Sequence, residues 1–461
     1  MRKSQTLENC CLVPKHITDQ EIQMIKKIKR SGLLACGLML ALSAQSQGET
    51  ISEAVDQVIQ TNPQVQSQIH NRLARDQEVV QARAGYYPTL DGYLAGGYAN
   101  YNEPVDDELD PYEAGFNLRQ NVFRGFADQG EIARQKARVD SSAYLLQGTS
   151  EDLALATSRV YINVLRKQEL KEIADENLEI HLRIADQIKL RSDSGVSSQA
   201  DTDQIQGRLA LAQSNVVIAE TNLQDAMSEY LAVVGHLPMN LTQPLPPNNK
   251  MFDSLEDATL AALAANPILK SAAADLEARQ QQYEVAKAPF YPILDIELDQ
   301  RWDEDISVST VTGEREWFQA LGRVRYNFFN GFRDQGRKAE TLEQVSEARE
   351  IKNNTERQVV ESMRLSWMAY MSVLDRIDYL RNYLKSSRST ATAYAKQFDI
   401  GKRSLLDVLD AEAEAVTAQA DLVDAEADGL FAQYRILAAT AQLVDSFGLA
   451  WPEEALVEND Q

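Results

Sequence analysis

The chain has 461 residues, 44% of them hydrophobic and 25% charged, with a formal net charge of −23. A chain of this length suits two or three ordinary domains, and its acidic balance excludes a nucleic-acid partner, because binding phosphate requires a basic surface. All three cysteines (Cys10, Cys11 and Cys36) fall within the first 46 residues, so neither disulfides nor thiol chemistry serve the rest.

Residues 1–46 read as a signal peptide with an upstream leader. Lys26, Lys27, Lys29 and Arg30 precede an apolar run from Gly32 to Leu42, and small residues continue through Ser46. Basic, apolar, then small is the layout of a secretory signal. The run is too short to cross a bilayer as a helix. Residues 1–23 lie upstream of that layout, which makes Met24 a candidate start. Without this leader, 39 Lys and Arg face 66 Asp and Glu, a net charge of −27. No later segment approaches about 18 uninterrupted apolar residues, so no membrane helix is expected.

Beyond residue 46 the chain is one unit written twice. Asn62-Pro63 returns as Asn266-Pro267 and Tyr87-Pro88 as Tyr291-Pro292, 204 positions on. The stretch Asn121–Gly130 returns as Asn327–Gly336, and Gly195 and Asp201 meet Gly401 and Asp407, at a shift of 206. Such a period is far above that of solenoid repeats and marks a duplicated supersecondary unit. The reading places the first repeat at 47–243, a Pro-rich linker at 244–250, the second repeat at 251–447 and a C-terminal tail at 448–461.

In the first repeat a helix gives way at Pro88 to strands at about 87–100 and 112–124. Leu90, Leu94 and Tyr98 stand against Asp91 and Tyr93 in the weaker strand. Ala114, Phe116, Leu118 and Val122 alternate with Glu113, Gly115, Asn117, Arg119 and Asn121 in the stronger one. Gly125 then returns the chain to helix. From Phe126 to about Leu190 there is no proline and only Gly130 and Gly148 interrupt, enough for roughly 100 Å of helix. Long helices continue to about 236, with an apolar seam through Ile205, Leu209, Ala212, Val216, Ala219, Leu223, Ala226, Tyr230 and Val233.

The second repeat copies this order, with strands at about 291–303 and 316–330 and long helices to about 446. Leu294, Ile296 and Leu298 alternate with Asp295, Glu297, Asp299 and Arg301. Phe318, Ala320, Val324, Tyr326 and Phe328 alternate with Gln319, Arg323, Arg325 and Asn327. The last helix carries two seams, Leu406 to Val444 and Ala411 to Ala439, each spaced by threes and fours. A two-stranded coiled coil would use one seam, so a closed sheath of helices is expected. A soluble bundle or fibre would explain the helices alone.

The strands argue against that alternative. Each has about ten residues, apolar on one face and polar on the other, as a membrane barrel strand requires. Four strands cannot close a barrel and lipid does not tolerate open edges, so chains must pool theirs; two would give eight and three would give twelve. Acidic residues cluster in the expected outer loops: Glu103, Asp106, Asp107, Glu108 and Asp110 in one, Asp303, Glu304, Asp305, Glu314 and Glu316 in the other. They lack the ligand spacing of a calcium hand and read as solvated loops. Arg119, Arg301, Arg323 and Arg325 are expected to pair with Asp295, Glu297 and Asp299 across the barrel interior. The enzyme reading is poor. His70, His181 and His236 are scattered without cysteine partners, and no nucleophile elbow, phosphate loop or dinucleotide fingerprint is present. No catalytic residue, cofactor or metal site is expected.

Gln81–Asp91 (QARAGYYPTLD) and Gly401–Ala411 (GKRSLLDVLDA) are the stretches by which the chain resembles the TolC family of trimeric outer-membrane channels. The resemblance covers nearly everything after residue 48. It implies a mixed α and β fold in which each chain gives four transmembrane strands to a twelve-stranded trimeric barrel. A long α-helical coiled-coil tunnel continues that barrel across the periplasm. It implies a homotrimer in the outer-membrane lipid that docks a periplasmic adaptor (membrane-fusion) protein and an inner-membrane ABC or proton-driven transporter. Such a trimer conducts substrate passively, with type I protein secretion, adhesins included, as the first reading and multidrug efflux as the alternative. A periplasmic adaptor or scaffold is the alternative of another class. By the same resemblance Asp407 and Asp410 line a periplasmic constriction, and Arg403 with Asp201 latches the closed state. Gly195 and Gly401 stand at the hairpin tips that meet the adaptor. Two further latch positions hold Phe398 and Ala200 where the family pattern has hydroxyl-bearing residues, which implies a looser resting state. Crowded carboxylates at the constriction are expected to raise some of their pKa values.

Overall fold

The computed structural model describes residues 48–101, 107–195, 198–247, 251–304 and 313–457. The expected signal segment and all three cysteines lie outside them. The described elements belong to one unit, Glu49–Gln461. Its first half runs α1 (Ile51–Thr61), α2 (Pro63–Arg83), β1 (Thr89–Gly96), β2 (Ala99–Tyr101), β3 (Asp107–Leu109), β4 (Tyr112–Arg124), α3 (Ala127–Asp193) and α4 (Gln199–Val234). Its second half runs α5 (Leu255–Ala265), α6 (Pro267–Ala286), β5 (Ile293–Glu304), β6 (Arg315–Arg325), α7 (Arg333–Asp399) and α8 (Leu405–Ala439), closed by the short α9 (Leu443–Ser446).

The repeated sequence landmarks are repeated pieces of geometry. Asn62 caps α2 by accepting from the Gln64 N–H, with Pro63 at the first helical position, where a missing N–H costs nothing. Its amide also donates to the Val233 carbonyl at the end of α4, 3.4 Å away. Asn266 caps α6 in the same way and donates to Ala439 at the end of α8, 3.2 Å away. Each Asn-Pro therefore starts one helix and ties it to the end of another, 206 residues apart in its two acceptors. Gly125 and Phe126 (φ 60° and 68°) and Gly331 and Phe332 (φ 71° and 65°) form matching left-handed corners between strand and helix. A non-glycine residue there is strained, and both phenylalanines occupy it.

The sheet is antiparallel, in the order β1-β4-β5-β6, so the two hairpins of the duplication meet along β4 and β5. Register shifts between Asn121 and Phe123, which leaves Val122 as a bulge near the exit of β4. Two expected strand limits change. β6 ends at Arg325 instead of about 330, because its partner β5 begins at Ile293, opposite Arg325. The strand expected at about 87–100 divides at Gly96, where β1 leaves β4 opposite Tyr112, and the remainder pairs with β3. Asp303, expected in a solvated loop, is instead a buried member of β5.

α3 and α7 are each a continuous 67 residues, about 100 Å at 1.5 Å per residue. Each turns through a left-handed glycine, Gly195 or Gly401, into the next helix, which opens on a capping box: Ser198 with Asp201, Ser404 with Asp407. α8 lies between α3 and α7. Accordingly it buries one face through Ala411, Ala415, Ala418, Ala425, Ala432 and Ile436 and another through Leu409, Val423, Tyr434 and Leu437. α4 buries only Ile205, Ala212, Ala226, Tyr230 and Val234, leaving Leu211, Val217 and Ile218 exposed. Both ends of the unit are tied to the shared core of α1, α3, α4 and α8. The Tyr230 hydroxyl donates to the Glu49 side chain at 2.7 Å, and buried Glu151 on α3 accepts from Leu443, Val444 and Trp451. No helix among the described residues is long and apolar enough to cross a membrane.

Candidate functional site: the sheet face and the hairpin tips

Alternation gives the sheet two chemically opposite faces. On one, Leu90 (66% exposed), Leu94 (83%), Phe318 (66%) and Val324 (67%) stand open, with Phe116 and Ile296 beside them. A soluble sheet would cover such a face with helices or a second sheet; here nothing among the described residues covers these side chains. The other face is a ladder of ion pairs. Asp295, 1% exposed, holds Arg119 at 2.8 Å on one side and Arg325 on the other. Arg323 meets Glu297 at 2.7 Å, and the Asn117 amide donates to Asp299. Higher on the sheet, Asp303 sits between Arg301 (3.2 Å) and Arg315 (2.6 Å), and Arg301 also reaches Glu113. The expected cross-strand pairing therefore holds for Arg119, Arg323 and Arg325, whereas Arg301 pairs with Glu113 and Asp303.

At the other end of the long helices the two hairpin tips share a small core of Ile188, Ile205, Phe398, Leu405, Val408 and Leu409. Phe398 is buried there, and the Arg191 guanidinium stacks on its ring at 4.3 Å. Asp407 accepts from the Ser404 hydroxyl at 2.8 Å and from the Ser404 N–H at 3.2 Å. Those bonds, with Arg403 nearby, hold its carboxyl below the ordinary aspartate range. Within the chain, capping thus moves Asp407 opposite to the rise expected from crowding. Asp410, one turn on, is held by Arg208 of α4 at 2.8 Å. Arg403 lies over the Tyr394 ring at 4.1 Å, donates to Gln397 at 3.0 Å and stands 3.9 Å from Asp407. Asp201 accepts from the Ser198 hydroxyl at 2.8 Å.

Sequence reasoning missed Arg208 and Arg191. Neither shows a local signal, because their partners lie some 200 residues away. The capping role of Asp407 was readable, since Ser-x-x-Asp before an apolar run is a capping box. Two of the histidines have partners within the chain: buried His181 bonds the Asn177 carbonyl at 2.8 Å, and His236 lies 3.4 Å from Glu49. Among the described residues no acidic, His or Cys group could hold a metal.

The sequence profile of the family described as outer membrane efflux protein matches residues 54–236 and again 260–442, two segments offset by the 206 of the internal repeat. The outer membrane efflux protein BepC of Brucella suis is 21% identical over 425 residues, 92% of each chain. The outer membrane protein TolC of Vibrio cholerae is 24% identical over 437 residues, 91% of this chain and 95% of that one. Among solved structures, the Campylobacter jejuni CmeC outer membrane channel superposes with a TM-score of 0.76 at 15% identity, covering 90% of this chain and 92% of the other.

Proposed function

The chain belongs to the outer membrane efflux protein family, and from that premise we propose that it is the exit duct of a tripartite system for type I protein secretion. Members of the family are passive export channels of the outer membrane, without enzymatic chemistry, that work as trimers with an adaptor and an inner-membrane transporter. The observation that carries the channel reading is the sheet: an uncovered apolar face, a charged opposite face and two edges, β1 and β6, that no other described strand pairs. Lipid on the first face and a closed strand ring accommodate all three. A periplasmic scaffold would leave the apolar face in water. The Gln81–Asp91 stretch favours protein secretion, adhesins among the candidate cargoes; the efflux name of BepC favours drug export as the second reading. A deletion strain that loses one secreted protein with unchanged drug sensitivity supports secretion. Unchanged secretion with drug hypersensitivity supports efflux.

Three copies would stack the Asp407 and Asp410 carboxylates as two rings at the periplasmic constriction, favouring cations in a narrow path. Arg403 with Asp201 is the proposed latch of the closed state, and the tips at Gly195 and Gly401 are the proposed adaptor-facing ends. The homotrimer makes a register prediction. Leu118 lies opposite Leu298 across the β4–β5 seam. Shifted by 206 and 204, that pair becomes Val324 opposite the partner's Leu94. Directly opposed strand residues suit a disulfide, and the chain beyond residue 46 has no cysteine to compete. Val324→Cys with Leu94→Cys should therefore oxidise to a covalent trimer on a denaturing gel. A product that stays monomeric would count against this seam.

A further inference from the structure

The two corners where strands give way to long helices differ in one respect: the second holds an open cleft where the first is shut. We propose that this cleft takes an anionic phospholipid of the periplasmic leaflet, its phosphate on Arg325 and Arg333 and an acyl chain along Tyr326 and Phe328. The inference rests on the outer-membrane channel reading above.

The first repeat shows how the corner closes. Gly85 has no side chain, and a Cβ there would overlap the Asp128 carboxylate. Asp128 therefore lies against the turn that leads from α2 to β1, and it accepts from the Asn121 amide at 2.6 Å. The Gln120 amide spans the remaining gap to the Tyr86 carbonyl at 3.2 Å. In the second repeat Gly85 becomes Pro289, at the offset of 204, and Gln120 becomes Tyr326, at the offset of 206. Proline puts a ring where glycine left room for the carboxylate, and tyrosine has no amide to reach a carbonyl. Asn327, the counterpart of Asn121, accepts from the Phe329 N–H at 3.0 Å. What remains is a cleft of about 940 Å³ between the turn after α6, the start of α3 and the connection from β6 to α7.

The chemistry of its walls selects the occupant. Tyr326 and Phe328 continue the alternation of Val324 on the uncovered apolar face, and Phe328 is 90% exposed. Pro289, Tyr291 and Ile293 carry the apolar wall inward. Arg124, Arg325 and Arg333 line the same cleft, against the single lining carboxylate of Asp334. Their ion pairs do not cancel them. Arg325 shares Asp295 with Arg119, Arg124 stands 3.5 Å from Asp128, and Arg333 stands 3.4 Å from Asp334. Arg119, Arg124, Arg325 and Arg333 thus face Asp128, Asp295 and Asp334, which leaves one positive charge in excess. One phosphodiester balances it, and guanidinium groups bind phosphate oxygens bidentately. The depth agrees, because strand ends lie at headgroup level, where aromatic and basic side chains meet chain and phosphate together. Gly331 and Phe332, the counterparts of the seam residues Gly125 and Phe126, do not line the cleft, so a second copy joined there does not have to fill it.

Native mass spectrometry of the delipidated full-length trimer, titrated in detergent with phosphatidylglycerol or phosphatidylethanolamine, tests this. One phosphatidylglycerol per chain should bind about five-fold or more tightly than phosphatidylethanolamine, and Arg333→Gln should remove about five-fold, the share of one cation near an anionic headgroup. Pro289→Gly with Tyr326→Gln, which rebuilds the closed corner, should abolish the preference while the trimer persists. Glycerol 3-phosphate, a headgroup without chains, should not compete at equal concentration. Equal binding of both phospholipids, or competition by glycerol 3-phosphate, would overturn the lipid site. A wild-type trimer that holds no lipid, together with loss of the trimer in the double variant, would assign the cleft to a second copy and overturn it as well. Absence of the protein from outer membranes would remove the channel reading itself, whereas an outer-membrane trimer without lipid preference removes this site alone.

Discussion

Glu151→Ala is expected to free the C-terminal segment from α3 and to raise its local opening by about a hundredfold or more. Glu151 is 2% exposed on α3. One carboxylate oxygen accepts from the Leu443 N–H at 3.1 Å; the other accepts from Val444 at 3.4 Å and from the Trp451 indole at 3.0 Å. Leu443 and Val444 open α9, where N–H groups have no helical acceptor, so a single side chain caps that helix and, through Trp451, anchors the segment beyond it. Alanine would leave three buried donors without partners, at about 1–3 kcal/mol each before relaxation. Gln147, whose amide donates to the Ala455 carbonyl at 2.7 Å, supplies the comparison: Gln147→Ala should loosen the segment far less. Limited proteolysis of residues 443–457 in the assembled protein reads both. An unchanged cleavage rate in Glu151→Ala would show that burial of Trp451 and Ala455 alone secures the tail.

The same residue sets a pH dependence. Burial pushes the Glu151 carboxyl up to about 7, against the three donors that favour its ionised form, while neighbouring Asp152 adds to the rise. A carboxyl whose folded pKa is raised is easier to keep protonated in the folded chain than in the unfolded one. Its contribution is therefore full below about pH 4.5 and is lost as pH climbs through about 7, a swing of about 3 kcal/mol. The tail should resist protease better at pH 5 than at pH 8. Glu151→Gln, with no proton to lose, should flatten that difference.

Much of this architecture is readable in one dimension because the duplicated landmarks are local devices. Asn62-Pro63 and Asn266-Pro267 start helices, the Gly-Phe corners at 125–126 and 331–332 end strands, and unbroken proline-free runs make the 67-residue helices. The second seam of the last helix correctly announces a neighbour on each side. What stays hidden depends on partners. The end of β6 at Arg325 is set by where β5 begins, and no alternation of Tyr326 and Phe328 can show that. The acid Asp303 looks like a loop residue until Arg301 and Arg315 close on it from two strands. Arg208 meets Asp410 only because α4 and α8 arrive at the tip core with one rotational phase.

Gly125→Ala should stop the chain from folding at its neck, whereas Gly331→Ala should fold as a chain and fail at assembly. Both glycines have left-handed backbones, φ 60° and 71°, so a side chain at either costs about 1–2 kcal/mol in strain. Their surroundings separate them. A Cβ at Gly125 would stand 2.4 Å from the Ala288 carbonyl oxygen and 2.9 Å from the Tyr291 Cβ, contacts that only movement of the α6–β5 backbone could relieve. The Phe126–Tyr291 edge contact, 5.7 Å between centroids, locks the same corner. A Cβ at Gly331 meets nothing within 4 Å. The 204-residue offset that relates Tyr291 to Tyr87 relates Ala288 to Ala84, so in the proposed ring Gly331 packs against the partner's Ala84. Tyr87 and Phe332, both largely exposed in the single chain, are the matching ring pair. Expression of the two variants decides this by which species accumulates. Gly125→Ala should be degraded without monomer or trimer, and Gly331→Ala should give protease-resistant monomer that never becomes a heat-modifiable trimer. A Gly331→Ala trimer as stable as wild type would mean that copies of the chain do not meet along the seam that its own two halves define.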